Sequence, residues 1–316
     1  MEKNLVSCVI VTYNRKELLL ECLEAVFNQT HPVDRIILID NASTDGTREC
    51  LANRGYLDNP IVSYVEMEKN TGGAGGFYEG IKRSVDDESD WVWIMDDDTI
   101  PTANCLEELL KALPIVSKKD NGKGISFLAS TVYGPEGEYM NLPLISERPS
   151  PNGYAYWYQY LKDGIVSISR ATFVSILVNK NAIQKCGLPD PDFFIWGDDS
   201  EYTIRLTTYY GDAFFVGSSV AVHKRKNAKN LNVENETDRG RIKLYHYLYR
   251  NGIIIKSYYS KRKVTAVALI AMIRSFRSLK KKNGFQITKT KLKGYSEAIL
   301  QYRRFKEYID SQLGKR

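Results

Sequence analysis

Two acidic clusters carry most of the chemistry this sequence offers. Asp96-Asp97-Asp98 closes the apolar run Trp91–Met95. Adjacent carboxylates repel one another, so a fold tolerates them where a cation or basic partner neutralises their charge. Asp96 and Asp98, two residues apart after a strand, can both turn toward one ion and offer hard oxygen ligands for Mg2+ or Mn2+. A solvated acidic turn before Pro101 is the competing reading. The second cluster, Asp198-Asp199, follows Phe193-Phe194-Ile195-Trp196-Gly197 and precedes a helical pattern. One of these aspartates is expected to cap the helix; the other would face a cleft as a general base beside an aromatic wall. His223 ends another apolar strand, where an imidazole would complete a two-carboxylate site, and Lys224, Arg225 and Lys226 beside it would meet phosphates. His31 and His246 read as structural.

These residues need elements that bring distant strand ends together. Residues 5–12 are a β-branched apolar run suited to a strand buried on both faces. A helix follows, with Leu18, Leu19, Cys22, Leu23, Val26 and Phe27 at helical spacing and Asn14 as its N-cap. Strand Arg35–Asp40, helix Thr47–Asn53, strand Ile61–Glu66, helix Gly76–Val85 and strand Trp91–Met95 continue the alternation. That order predicts an α/β fold with a doubly wound, mostly parallel sheet, whose ligands lie beyond the carboxyl ends of the strands. Farther on, Gly124–Tyr133, Ile165–Ser169, Phe173–Asn179 and Ala213–Val222 read as strands, and Pro149–Tyr160 as a long functional loop. The glycine-rich segment Asn70–Gly80 has Tyr78 where G-x-G-x-x-G needs its third glycine, and no GxxxxGK[ST] occurs, so dinucleotide and P-loop sites are excluded. Its glycines are expected to let backbone approach a ligand and to open the helix near Gly76.

Composition narrows the class. The chain has 316 residues, 43% hydrophobic and 26% charged, as in ordinary globular proteins. Its net charge of +6 averages two unlike parts. Residues 1–222 hold 19 Lys and Arg against 32 Asp and Glu, whereas residues 223–316 hold 25 against 6. The first residues show no signal-peptide pattern. The longest apolar stretch, Val264–Ile273, is far short of the ~20 residues a membrane span needs. Five cysteines without a CxxC pair suggest reduced thiols in the cytosol.

In this order, VIVTYNR, IDNASTDGT, NTGGAGGF, WIMDDDT, FFIWGDDSEY and the closing His223 resemble glycosyltransferase family 2, inverting enzymes of the GT-A fold. NTGGAGGF and FFIWGDDSEY are most similar to bacterial galactofuranosyltransferases and related rhamnosyltransferases of cell-surface polysaccharides. The resemblance implies a catalytic domain over residues 1–225, with a nucleotide-sugar half over about 1–124 and an acceptor half over about 125–225, followed by a basic helical region over 226–316. By the same resemblance, Thr12, Tyr13, Asn14, Arg15, Asn70 and Asp97 line the nucleotide-sugar pocket and Asp40 reads the base. Asp96 and Asp98 hold Mn2+ or Mg2+ and the donor diphosphate, with His223 as third ligand. Asp199 is the catalytic base, and Trp196 and Asp198 shape the acceptor site. The large galactofuranan polymerases carry an extra N-terminal β domain that this chain lacks, so addition of one or a few sugars is expected.

The donor implied is UDP-galactofuranose, with dTDP-rhamnose as the alternative, and the acceptor a lipid-linked glycan. The basic region reads either as an interfacial helix on an anionic membrane at the inner face of the cell membrane or as a packed bundle with a solvated basic face. No nucleic-acid motif accompanies the charge, and a homo-oligomer remains open. Two rival classes fit the sequence less well. A sugar nucleotidyltransferase wants a glycine-rich basic loop after the first strand, where this chain has TYNRKE. A non-catalytic sugar or glycolipid binder would not need the full set of Asp96, Asp98, Asp199 and His223.

Overall fold

The computed structural model describes residues 4–117, 124–225 and 231–315. The chain runs β1 (Val6–Thr12), α1 (Lys16–Phe27), β2 (Arg35–Asp40), α2 (Thr47–Asn53), β3 (Val62–Glu66), α3 (Gly72–Val85), β4 (Trp91–Asp96), β5 (Thr99–Pro101) and α4 (Cys105–Ser117). Then follow β6 (Gly124–Tyr133), β7 (Tyr139–Met140), β8 (Leu144–Ile145), β9 (Ile165–Arg170), β10 (Ile176–Asn179), α5 (Lys180–Cys186), α6 (Asp198–Tyr209) and β11 (Gly211–His223). Three helices close the chain: α7 (Arg239–Tyr259), α8 (Val264–Ser275) and α9 (Gly284–Gln312).

The strands form one sheet in the order β3-β2-β1-β4-β10-β6-β11-β9-β8. The half from β3 to β4 is parallel throughout. Beyond it β10 runs antiparallel to both neighbours, and β11 is parallel to β6 but antiparallel to β9. Side chains along β1 alternate between the two cores, as the strand period requires. Cys8 and Ile10 pack with α1 and α4, while Val9 and Val11 pack with Phe77 and Ile81 of α3 and with Tyr202 of α6. Every residue of β1 is buried, which suits its largely apolar, β-branched sequence.

Several local expectations need correction. Helix α3 begins at Gly72, not near Gly76, so the glycine-rich segment is helical itself. Gly76 and Gly80 serve packing against β1, where a Cβ would lie 2.4 Å from Val11 or Val9, whereas Gly73 lines the cavity described below with open space before it. Asn14 does not cap α1; it has φ 52°, and Arg15 occupies the cap position without a side-chain bond. The Pro149–Tyr160 loop is anchored elsewhere, by Tyr160 Oη donating to Val116 O.

The C-terminal helices pack directly on the sheet-bearing body. Phe193 and Ala74 share a core with Ile253, Ile254 and Phe305. Tyr259 of α7 donates to Glu201 Oε1 at 2.7 Å, and Glu201 pairs with Arg205 inside α6. Arg205 spends a further nitrogen on Cys186 O and Leu188 O, so this buried ion pair is fully bonded.

Candidate active site

The order of strands reverses at β1, between β2 and β4, and a crevice opens there beyond their carboxyl ends. Thr12, Asp40 and Asp96 are the last residues of these three strands. His223 arrives from the far side by a small device. The three-residue β5 turns back after Asp98 and pairs antiparallel with the end of β11, placing His223 opposite Thr99. One further bond, Lys224 N to Asp98 O at 2.7 Å, extends that ladder to the acidic cluster.

The three aspartates take different roles. Asp97 turns back toward β1, accepting from Thr12 Oγ1 at 2.7 Å and from the Arg15 guanidinium at 3.2 Å. Burial pushes its carboxyl up to about 6 despite Arg15. Asp98 accepts from Arg15 through Oδ2 at 2.6 Å, and its Oδ1 lies 3.1 Å from His223 Nε2. Asp96, Asp98 and His223 each present one ligand atom, all within 4.8 Å of one another. Burial first, then the charges of Asp98 and Asp97, push the Asp96 carboxyl well above its usual range.

These residues fit a divalent cation. His223 Nδ1 lies 2.8 Å from Asn141 Oδ1, an acceptor only, so the ring proton resides on Nδ1. Asn141 Nδ2 in turn donates to Thr172 Oγ1. The Nε2 lone pair therefore faces Asp98 Oδ1, a buried oxygen with no donor among the described residues. Two lone pairs aimed at one point need a cation between them or a second proton on the ring. Two carboxylates and one imidazole nitrogen suit Mn2+ and also accept Mg2+.

Beside this cluster, the β2 and glycine-rich segments are tied together by Asn41. Asn41 Nδ2 donates to Asn70 Oδ1 at 3.2 Å and to Gly72 O at 2.8 Å, while its Oδ1 accepts from Thr71 N. Asp40 is 2% exposed and accepts from Ser43 N and Tyr64 Oη, both at 2.8 Å, which shapes the turn carrying Ala42 and Ser43. Asn14 reaches across to that turn, accepting from Thr44 N. Tyr13 is exposed at the crevice edge.

Asp198 and Asp199 are the first two residues of α6, and the cap position belongs to Gly197. Neither aspartate caps the helix, because the preceding backbone is left-handed: Phe194 has φ 64°, Trp196 φ 60° and Gly197 φ 103°. Both carboxylates line the cavity described below, and Asp199 Oδ1 accepts from Ser200 N at 2.5 Å. Burial, then the charge of Asp199, pushes Asp198 up to about 8; burial also raises Asp199. The strained loop is gripped from α7, a contact with no signal in the local sequence. Asn251 Nδ2 donates to the carbonyls of Phe193, Ile195 and Trp196 at 3.0, 3.2 and 2.7 Å, and Arg250 donates to those of Asp192 and Phe193. Gly72 abuts the same loop; a Cβ there would lie 2.1 Å from Phe194 O.

A cavity of about 410 Å3 joins the two acidic clusters, lined by Arg15, Asp96, Asp98, Trp196, Asp198, Asp199 and His223. Arg225 and Arg241 add positive charge to its wall. Arg241 also lies 5.9 Å over the Trp196 ring, a role the sequence reading missed. Lys224 instead pairs with Glu21 outside the cavity, and Lys226 lies outside the described residues. Past Trp196 and Asp199 the cavity continues into a groove of about 660 Å3 along Leu248, Gly252, Lys256 and Tyr259 of α7. None of residues 149–160 lines either space.

A mixed sheet with its acidic site at the β1–β4 switch is the GT-A architecture. The model of the family described as Glycosyl transferase family 2 matches residues 7–167, just over half of the chain, and the chain belongs to that family. Among its relatives is the galactofuranosyltransferase GlfT1 of Mycolicibacterium smegmatis, 28% identical over 212 residues; the match covers 64% of this chain and 65% of that protein. The glycosyltransferase AglE of Haloferax volcanii is 24% identical over 76% of this chain and 74% of its own length. In fold, the chain resembles GalNAc-T7, solved with UDP, GalNAc and Mn2+: TM-score 0.61 at 16% identity, covering 98% of this chain and 58% of that one.

Proposed function

We propose that the protein is an inverting, divalent-cation-dependent glycosyltransferase that moves galactofuranose from UDP-galactofuranose to a hydroxyl of a lipid-linked cell-surface glycan. The observation that carries this reading is the convergence of Asp96, Asp98 and His223 on one side of a single cavity, with Asp199 on the other. Family membership supports transferase chemistry, and the similarity to GlfT1, a galactofuranosyltransferase, favours the donor sugar.

A cation held by Asp96, Asp98 and His223 would supply neutralisation of the diphosphate leaving group. Arg15 keeps Asp97 and Asp98 in place through its guanidinium bonds. Tyr13, Asn14, Asp40 and Asn70 bound the nucleotide-sugar crevice, Asp40 through its hold on the Ser43 turn. Asp199 takes the proton of the acceptor hydroxyl while that oxygen attacks the anomeric carbon and the bond to the diphosphate breaks. One displacement inverts the carbon. Trp196 provides an apolar wall for the acceptor sugar, and Asp198 beside it offers the acceptor a hydrogen-bonding carboxyl. Residues 1–225 carry the chemistry and 226–316 brace the acceptor side. No described helix is long and apolar enough to cross a membrane, so membrane contact in this reading is peripheral.

The test is transfer from UDP-galactofuranose with Mn2+ to a lipid-linked glycan, with dTDP-rhamnose in parallel. Turnover with UDP-galactofuranose and an inverted product is expected. Turnover with dTDP-rhamnose alone would reassign the donor, and turnover of neither, without hydrolysis of either, would overturn the reading.

A further inference from the structure

Helix α8 leaves most of its large apolar side chains uncovered. Only Ala268 and Ser275 are buried in it, while Leu269 is 55%, Ile270 52% and Ile273 72% exposed. Phe276 just beyond is 53% exposed. Leu269, Ile273 and Phe276 are spaced i, i+4, i+7 and so share one helical face. A contiguous apolar ridge of this kind marks an interaction surface. Between residues 261 and 282 the chain carries eight Lys and Arg and no Asp or Glu.

Beside the ridge, α7, α8 and α9 enclose a groove of about 710 Å3 whose lining includes Lys256, Arg262, Lys263, Arg274 and Lys291 and no acidic residue. Lys291 is paired with Glu234. Arg262, Lys263 and Arg274 have no ion-pair partner among the described residues. Ile270 belongs to both groove and ridge, so the cations and the apolar edge form one surface. Lys256 lines both this groove and the one that leads to Asp199, so the two spaces meet at its side chain.

We propose that the groove between α7, α8 and α9 binds the phosphate head of an anionic membrane lipid, with Leu269, Ile270, Ile273 and Phe276 entering the hydrocarbon beside it. Charge complementarity selects this occupant: a concave cluster of free cations next to a linear apolar ridge matches an acidic headgroup above acyl chains. The inference rests on the peripheral-membrane reading above and gives it an address. A lipid-linked acceptor held at this face would meet Asp199 along the Lys256 side of α7.

Flotation of the full chain with phosphatidylcholine vesicles, with and without phosphatidylglycerol, tests it. Wild type should partition at least about tenfold more strongly onto the anionic vesicles. Arg262→Gln with Arg274→Gln should weaken that binding about a hundredfold, because direct charge-assisted bonds are lost as well as general attraction. Lys280→Gln with Lys282→Gln removes the same charge outside the groove and should weaken it only about tenfold. Ile270→Ser with Ile273→Ser should also release the protein; all six side chains are exposed, and an unchanged melting temperature verifies folding. Equal losses from the two charge pairs would overturn the headgroup site, and wild-type binding by the isoleucine variant would overturn insertion. A dimer in solution that the isoleucine variant dissolves would assign the ridge to a second copy instead. Failure of wild type to bind either vesicle would sink the membrane reading itself, while transfer to a soluble acceptor would still report separately on the chemistry.

Discussion

Asp199 has the position and environment of a base: half-buried, next to Asp198 and facing the cavity that also holds Asp96 and Asp98. Asp199→Asn keeps the volume but cannot accept a proton. Transfer should fall by about 100- to 10,000-fold, with donor affinity changed less than about twofold as measured by titration calorimetry. The base works ionised, and burial places its folded pKa above the usual 3.8. The ionised form is then present above that raised value and lost as pH falls through it. The acid limb of kcat should lie above the ordinary carboxylate range, and a limb near 4 would contradict the environment described. On the opposite wall, Asn141 fixes the His223 tautomer that turns Nε2 toward Asp98. Asn141→Ala should cost about 10- to 100-fold in Mn2+ affinity, read by calorimetry, while leaving the melting temperature of the metal-free protein nearly unchanged.

At the scale of elements, the loop before α6 holds its left-handed residues because Asn251 satisfies three of its carbonyls from another helix. Asn251→Ala removes the donor to the Ile195 and Trp196 carbonyls, while that of Phe193 keeps Arg250 and Ile195 N; it should destabilise the fold by about 1–3 kcal/mol, measured by denaturant unfolding, and lower kcat by loosening Asp199. Stability and kcat both at wild-type values would show that the grip is incidental. The alternating strands and helices of the first half, and the strand ends where chemistry gathers, were legible from periodicity and from acidic residues after apolar runs. Three features were not. The caps expected at Asn14 and at Asp198 or Asp199 are absent because Asn14 and Gly197 take positive φ, which their residue types permit but do not require. Sequence does not say which surface approaches a glycine: Gly76 and Gly80 of α3 meet Val11 and Val9, while Gly73 faces the cavity. Asn141, Arg241 and Asn251 lie 82, 45 and 52 residues from His223, Trp196 and Asp199, and only tertiary packing brings them near.

Across the whole molecule, the contrast between acidic body and basic tail resolves into one packed unit. The tail supplies Asn251, Arg250 and Arg304 to the Asp190–Trp196 segment, and Phe305 to the core around Phe193. Catalytic carboxylates and bracing helices are therefore expected to fold together. A chain cut after residue 225 should not give a soluble, cooperatively melting protein, and one that melts cooperatively and binds UDP would contradict that. The central claim is that Asp96, Asp98 and His223 hold a cation through which this family member binds its nucleotide donor. Titration calorimetry of UDP into wild type and Asp98→Ala, with Mn2+ or with EDTA, tests it most directly. The account predicts that UDP binds wild type on the order of 100-fold more tightly with Mn2+ than with EDTA, and that Asp98→Ala loses this difference. Equal UDP affinity with Mn2+ and EDTA, or a full Mn2+ effect in Asp98→Ala, would contradict it.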